Sequence, residues 1–85
     1  MATMTIEVIS ATLKQLVVEE LGVPYADITD DSNFVEDLGA DSLEVVELIG
    51  RIEDAFNLVL TDDEAEKLQT FGDVVQKLDE LLNKK

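Results

Sequence analysis

The side chains of this sequence that could do chemistry are a few hydroxyl groups, and the residues that usually activate them are missing. The candidate nucleophiles, besides several threonines, are Ser10, Ser32, Ser42 and Tyr25. The chain has no His to act as a general base, and no Cys to act as a nucleophile, form a disulfide or hold zinc. We therefore expect a protein that binds partners or is modified by them, and not an enzyme.

Ser42 has the most unusual position among these hydroxyl groups. It follows Asp41 at the start of a predicted helix, where free N–H groups and the positive end of the helix dipole favour a phosphate group. A serine there is better placed to be modified than to catalyse a reaction. Serine is also common at helix starts for structural reasons, and the local sequence by itself favours that explanation. The surrounding segment GADSL is not the G-x-S-x-G motif of a hydrolase.

Acidic residues dominate the charge of the chain. The chain has twenty Asp and Glu residues and six Lys and Arg residues, which gives a net charge of −14. Fourteen of the acids fall within residues 27–66, where Arg51 is the only base. This charge argues against nucleic acid or an anionic membrane surface as a partner, and it favours basic partners. The EF-hand pattern fails when counted from Asp31, because Val35 and Glu36 occupy a ligand position and the glycine position, so no dedicated metal site is predicted.

The length and composition predict one small folded domain. Eighty-five residues, 46% of them hydrophobic, are enough for a single modest core. We predict one domain over residues 1–85, with a core from about residue 5 to residue 82, in a monomeric protein. No apolar run approaches the ~18 residues of a membrane span, and residues 1–7 lack the cationic start of a signal peptide. The expected location is therefore the cytoplasm, without insertion into a membrane.

Capping residues and apolar side chains at helical spacing predict the first two helices. Thr5 can cap the first helix, and Gly22 followed by Pro24 ends it. Asp41 can cap the second helix while Glu44 reaches back to it, a variant of the capping box. The apolar residues at this spacing are Ile6, Ile9, Leu13, Leu16, Val17 and Leu21 in the first helix and Val45, Leu48, Ile49, Ile52 and Phe56 in the second.

Two further capping signals predict a short third helix and a longer fourth helix. Thr61 with Glu64 starts the third helix, and Thr70 with Asp73 starts the fourth. The apolar residues of these helices are Ala65 and Leu68 in the third and Phe71, Val74, Val75, Leu78 and Leu81 in the fourth.

The connection between the first two helices, residues 27–39, is rich in turn-forming residues and is predicted to be a long structured loop. Ile28, Phe34 and Leu38 are expected to anchor it by packing into the core, and not by regular hydrogen bonding. The predicted fold is therefore all-α. It is a small four-helix bundle with three longer helices, one short helix, and a long loop between the first and second helices.

The segment around Ser42 resembles a known attachment motif. Residues 34–43, with the sequence FVEDLGADSL, are similar to the prosthetic-group attachment segment of acyl carrier proteins of dissociated (type II) bacterial-type fatty acid synthesis. The resemblance covers about residues 5–82, which is nearly the whole chain. Further similar residues are found at positions 21–23, at Glu47 and Leu48, at Phe56 and at positions 63–68.

The resemblance implies that a phosphopantetheinyl transferase, the holo-acyl-carrier synthase, attaches 4′-phosphopantetheine from coenzyme A to Ser42. The thiol of this arm would carry growing fatty acyl chains as thioesters, which explains how a carrier can work without Cys. A long flexible arm lets one non-catalytic domain visit several active sites. One alternative is a polyketide or other specialised acyl carrier. Another, from a different class, is an acidic helical interaction protein whose serine is never modified.

The resemblance also assigns the second helix to partner recognition, in which its acids meet basic patches on fatty acid synthesis enzymes. Such exposed charges mainly raise association rates and leave the affinity modest. The recognition residues that it implies are Asp41, Leu43, Glu44, Glu47, Glu53 and Asp54.

Acyl carriers of this family shelter the acyl chain between their helices. Candidates for that pocket can be chosen by position, and the same residues are candidates for an ordinary core. They are Phe34, Val35, Ala40, Leu48, Ile52, Phe56, Leu60, Ala65, Leu68, Val74 and Leu78.

Two residues depart from the family pattern. Arg51, next to Gly50 inside the second helix, places a cation on a helix that is typically acidic or neutral in the family. Gly50 itself costs about 1 kcal/mol relative to Ala at a mid-helix position. Thr61 stands where proline is common, and as an N-cap it serves the same helix start. We expect Arg51 to affect the choice of partners and not the attachment chemistry.

Overall fold

The computed structural model describes residues 4–83, which form four α-helices joined by loops. The helices are α1 at Ile6–Leu21, α2 at Ser42–Phe56, α3 at Asp62–Glu66 and α4 at Phe71–Asn83, with a one-turn 3-10 helix at Tyr25–Asp27. The prediction of three longer helices, one short helix and a long first loop is confirmed. Between residues 4 and 83 the backbone forms no strand, and its one β-type contact is an isolated bridge between Asn33 and Thr70.

The helices begin where the capping residues predicted, and α1 ends at the predicted Gly22, but the expectation that Leu68 belongs to the third helix is wrong, because α3 ends at Glu66. Thr5 accepts a hydrogen bond of 3.2 Å from the backbone N–H three residues later, at the start of α1. Gly22 ends α1 in the left-handed conformation, with φ at 70°. Thr70 and Asp73 exchange two hydrogen bonds of 3.1 Å at the start of α4. Because each cap satisfies backbone groups that a terminal turn leaves unpaired, these local patterns determine the helix boundaries.

The core lies where α1 packs against both α2 and α4. The apolar stripes of the three longer helices meet there, and four residues from the connecting loops complete it. The buried side chains are Ile9, Leu13 and Val17 of α1, Leu48, Ile52 and Phe56 of α2, Phe71, Val74, Val75 and Leu78 of α4, and Ile28, Phe34, Ala40 and Leu60 of the loops. The short helix α3 contributes no fully buried residue and therefore lies at the edge of the bundle.

Backbone hydrogen bonds tie the first loop to the start of α4. They run from the Phe34 N–H to the Gln69 carbonyl at 3.1 Å, from the Phe71 N–H to the Ser32 carbonyl at 2.9 Å, and from the Gly72 N–H to the Asp30 carbonyl at 2.8 Å. Apolar anchoring is also present, since Ile28 and Phe34 are buried and Leu38 is half-buried. The expectation that apolar packing alone holds this loop is therefore incomplete, because its backbone groups pair with a segment about 40 residues away in sequence.

Two small residues make this close approach possible. A Cβ atom on Gly72 would lie 2.9 Å from the carbonyl oxygen of Asp30, so the contact requires glycine. Ser32 is buried, and its hydroxyl oxygen accepts a hydrogen bond of 2.9 Å from the Thr29 N–H. The loop is consequently held against α4 along its middle, and its last residues lead into α2.

Candidate functional site

Ser42 is the first residue of α2, and it is exposed to solvent. The Asp41 carboxylate accepts a hydrogen bond from the Glu44 N–H at 2.8 Å, and the Glu44 carboxylate accepts one from the Asp41 N–H at 3.1 Å. The capping box predicted for this helix is thereby confirmed. Because these two acids supply the cap, the helix start does not depend on the Ser42 hydroxyl.

The chain reaches Ser42 through a turn that is built by polar side chains. The Asn33 side chain accepts two backbone hydrogen bonds, at 3.0 and 2.9 Å, and the Asp37 carboxylate accepts the Asn33 N–H at 2.8 Å. Gly39 then takes a φ of 75°, in the left-handed region that favours glycine. Ala40 is buried, and its N–H bonds back into the same turn at 2.8 Å. These contacts hold the segment before Ser42 and present that residue at the N-terminal end of α2.

The side chains implied in partner recognition differ in exposure. Asp41, Leu43, Glu47 and Asp54 are exposed, and Glu44 and Glu53 are half-buried. The Glu53 carboxylate accepts a hydrogen bond of 2.8 Å from the Leu60 N–H, so it closes the connection between α2 and α3. Sequence reasoning missed this role because Leu60 is in a loop seven residues further on. Glu47 and Asp54 remain as the exposed acids of α2 beyond its first turn.

Two exposed apolar side chains accompany these acids. Leu43 is 66% exposed and Val46 is 64% exposed, and both lie within the first five residues of α2. Residues three apart share a helix face, so the two form a small apolar patch close to Ser42. Val46 was not among the predicted site residues. Its spacing of three residues from Leu43 could have indicated this, because both residues lie outside the buried apolar stripe of α2.

Arg51 is the only cation of α2, and it contacts acids of α1. Its guanidinium nitrogens lie 2.7 Å from the Glu19 carboxylate and 3.4 Å from the Glu20 carboxylate. A hydrogen bond from Gln15, together with Arg51, lowers the pKa of Glu19. The pKa of Glu47 is raised, because its carboxyl shares a hydrogen bond with Glu20 and lies among like charges. The cation that departs from the family pattern thus joins α2 to α1, although the pair with Glu19 is exposed and such pairs contribute little stability.

A groove runs between α2 and the segment that contains α3. It is open to solvent, has a volume of about 680 Å³, and is lined mainly by apolar side chains. A second groove of about 330 Å³, beside the first loop, shares part of this lining. The residues of the larger groove are Val45, Val46, Ile49, Gly50, Glu53, Leu60, Asp62, Ala65 and Glu66. The two grooves meet at Val45, Ala65 and Glu66.

The predicted pocket residues fall into two groups. Eight are buried in the core: Phe34, Ala40, Leu48, Ile52, Phe56, Leu60, Val74 and Leu78. Ala65 and Leu68 are half-buried and Val35 is 56% exposed; these three line the grooves, together with Phe34 and Leu60 of the buried group. Sequence reasoning missed the lining from Val45 and Ile49, because these positions lie beside the buried stripe of α2 and face the open edge next to α3. A role for the buried group in holding an acyl chain stays a prediction.

An ion pair holds α3 at the edge of the larger groove. The Glu64 carboxylate lies 2.9 Å from the Lys77 ammonium of α4, and it also accepts the Thr61 N–H at 3.0 Å in the capping box of α3. The backbone hydrogen bond from Thr61, together with Lys77, lowers the pKa of Glu64 from 4.5 to about 2. The position of α3 therefore depends on a carboxylate that stays ionised in mild acid.

The Glu64 charge should make the stability of the bundle dependent on pH. In Glu64→Gln, the amide oxygen can still accept the Thr61 N–H, and only the charge is lost. Because folding lowers the pKa of Glu64, the charge stabilises the fold above pH 4.5, and this contribution is lost as the pH falls to about 2. We expect wild type to melt at a higher temperature than Glu64→Gln at neutral pH. This difference in melting temperature should shrink as the pH falls from 4.5 to about 2. A difference that stays constant over this range in circular dichroism melts would contradict the prediction.

Two classes of site are absent from the part of the chain that the structure describes. Within residues 4–83, no three His, Cys, Asp or Glu side chains are grouped so that they could hold a metal ion. None of the helices in that range is both long enough and apolar enough to cross a membrane.

Known proteins are similar to this chain over most of its length. The family described as "Phosphopantetheine attachment site" matches residues 11–78, most of the chain. A protein of Wolinella succinogenes with the name "Acyl carrier protein" is 51% identical over 67 residues, which cover 79% of this chain and 88% of the relative. The chain belongs to the acyl carrier protein family. Its prosthetic group is a covalently attached 4′-phosphopantetheine, and it carries acyl chains.

The surroundings of Ser42 fit such a group in this carrier. The hydroxyl is exposed, and the first turn of an α-helix leaves backbone N–H groups that can face a phosphate. Leu43, exposed next to it, can pack against the apolar part of the arm. The groove along α2 offers apolar surface within the same helix. The residues present therefore suit both the charged and the apolar portion of the prosthetic group.

Proposed function

We propose that Ser42 is the attachment residue and that the chain is a non-catalytic carrier of dissociated fatty acid synthesis. The observation that carries the proposal is the exposed serine at the first position of α2, within the residues 11–78 that match the family. The Ser42 oxygen displaces adenosine 3′,5′-bisphosphate from the phosphorus next to the pantetheine part of coenzyme A, so one P–O bond of the pyrophosphate breaks as the phosphodiester bond forms. In this proposal the Ser42 proton goes to a base on the transferase, since this chain has no His to accept it. When attached, the arm supplies the thiol that holds an acyl chain as a thioester.

The partners in this proposal are a phosphopantetheinyl transferase and fatty acid synthesis enzymes with basic docking patches. Asp41, Glu44, Glu47 and Asp54 provide the negative charge along α2, and the exposed Leu43 provides an apolar contact at the N-terminal end of the helix. Glu53 adds a further negative charge, while its carboxylate accepts the hydrogen bond from the Leu60 N–H in the α2–α3 connection. Exposed charges speed up encounter and permit rapid release, which suits a carrier that visits several enzymes. A cytoplasmic location is part of the proposal and rests on this biosynthetic role.

The experiment is the loading of the unmodified chain. We expect incubation with coenzyme A and a promiscuous transferase to raise the intact mass by one phosphopantetheinyl group. An unchanged mass would reject the carrier function and favour an unmodified interaction protein. The loaded chain should then accept a malonyl group from the malonyl transferase of dissociated fatty acid synthesis. Failure at that second step alone would point to a polyketide or other specialised carrier.

A further inference from the structure

Gly50 is a glycine that the fold itself does not require. It lies in the middle of α2, and its φ is not in the left-handed region. A Cβ atom at this position would meet no atom within 4 Å, whereas a Cβ atom on Gly72 would lie too close to the carbonyl oxygen of Asp30. Glycine is less favourable than alanine inside a helix. Neither backbone conformation nor packing within the chain therefore explains why α2 has a glycine here.

The position of Gly50 on the groove offers an explanation. Gly50 is part of the α2 wall of the larger groove, where Val46, Ile49, Leu60 and Ala65 provide apolar surface. Without a side chain, this part of the wall exposes only helix backbone and leaves the groove wider. Glycine is the usual residue where a ligand must approach the backbone closely. The missing side chain thus benefits an occupant of the groove and not the empty fold.

We propose that Gly50 determines the size of the acyl chain that the groove can hold. The inference depends on the proposed function, since it needs an acyl chain carried at Ser42. Gly50 comes eight residues after Ser42, which is about 12 Å along the helix axis. The phosphopantetheine arm can span this distance and deliver an acyl chain to the groove, and a long chain needs more of the groove volume than a short chain does. A side chain at position 50 would therefore exclude long chains and leave short chains unaffected.

The test compares carriers loaded with a short and a long acyl chain. Wild type, Gly50→Ala and Gly50→Leu are loaded by the transferase from butanoyl- or decanoyl-coenzyme A, and loading is verified by intact mass. Thermal midpoints are measured for the unmodified form and both acyl forms. We expect the decanoyl form of wild type to melt several degrees above the butanoyl form, because a ligand bound only to the native state stabilises it. Gly50→Leu should lose at least half of this difference, and Gly50→Ala a smaller part.

Ala55→Leu is the matched control. Ala55 is exposed on the same helix and is not part of the groove lining, so the added side chain should leave the decanoyl–butanoyl difference unchanged. The unmodified Gly50→Ala should melt at or above wild type, because alanine favours the helix. A lower midpoint would show that the fold needs this glycine and would overturn the proposal.

Three other outcomes would also overturn the proposal. They are a full decanoyl–butanoyl difference in Gly50→Leu, an equal loss in Ala55→Leu, and no difference in wild type. In each of these the mass gain still occurs, so the carrier function stands. If wild type gains no mass, the carrier function fails, and the proposal for Gly50 fails with it.

Discussion

Ser42→Ala should abolish attachment of the phosphopantetheine arm and leave the helical bundle intact. No mass gain is expected after incubation with coenzyme A and the transferase, because the oxygen that forms the phosphodiester bond is gone. The thermal midpoint should change little, since Ser42 is exposed and Asp41 and Glu44 provide the cap. Exposed substitutions of this kind usually change stability by about 0.5 kcal/mol or less. The readouts are intact mass and a circular dichroism melt.

Ser10→Ala is the matched control for this loss. Ser10 lies in α1, far from the attachment segment in sequence, and its replacement should leave the mass gain unchanged. Ser32→Ala is less suitable as a control, because the Ser32 hydroxyl accepts the Thr29 N–H inside the first loop. A mass gain in Ser42→Ala, or its loss in Ser10→Ala, would show that the attachment residue is assigned wrongly.

Reversing two charges of α2 should slow the encounter with enzymes that have basic docking patches. In Glu47→Lys/Asp54→Lys, both changed residues are exposed and neither belongs to a helix cap. We expect kcat/KM for loading by the transferase to fall by about tenfold or more at low salt, since complementary charges steer association. The loss should shrink at high salt, because exposed charges are screened over ~8–10 Å at physiological ionic strength and over less at higher salt.

A second double substitution separates local recognition from total charge. Glu7→Lys/Asp31→Lys changes the net charge by the same amount, at exposed positions of α1 and the first loop. If α2 is the docking surface, this variant should retain most of the loading rate at each salt concentration. An equal decrease in both variants would mean that only the net charge of the carrier matters. A decrease that does not depend on salt would argue against electrostatic steering.

The helix starts, and the position of Ser42 at the start of α2, could be predicted from the sequence because their determinants are local. Asp41 with Glu44, Thr61 with Glu64, and Thr70 with Asp73 are each three residues apart, and each pair forms the predicted cap. A hydrogen bond between neighbours in sequence needs only the right residue types and a helical backbone. For the same reason the exposed start of α2, and the serine on it, could be assigned without knowing how the helices pack.

Only the tertiary structure decided which side chains of α2 are available to a partner or an acyl chain. Glu53 is engaged by the Leu60 N–H, and Arg51 pairs with acids of α1 more than 30 residues earlier in the chain. Val45 and Ile49 line a groove instead of joining the fully buried core, because the short helix α3 leaves the edge of the bundle open beside them. These outcomes depend on the orientation of whole helices, which is determined by the packing of many side chains together. Helical periodicity determines which residues share a face of a helix. Whether another element covers that face is determined only when the helices pack.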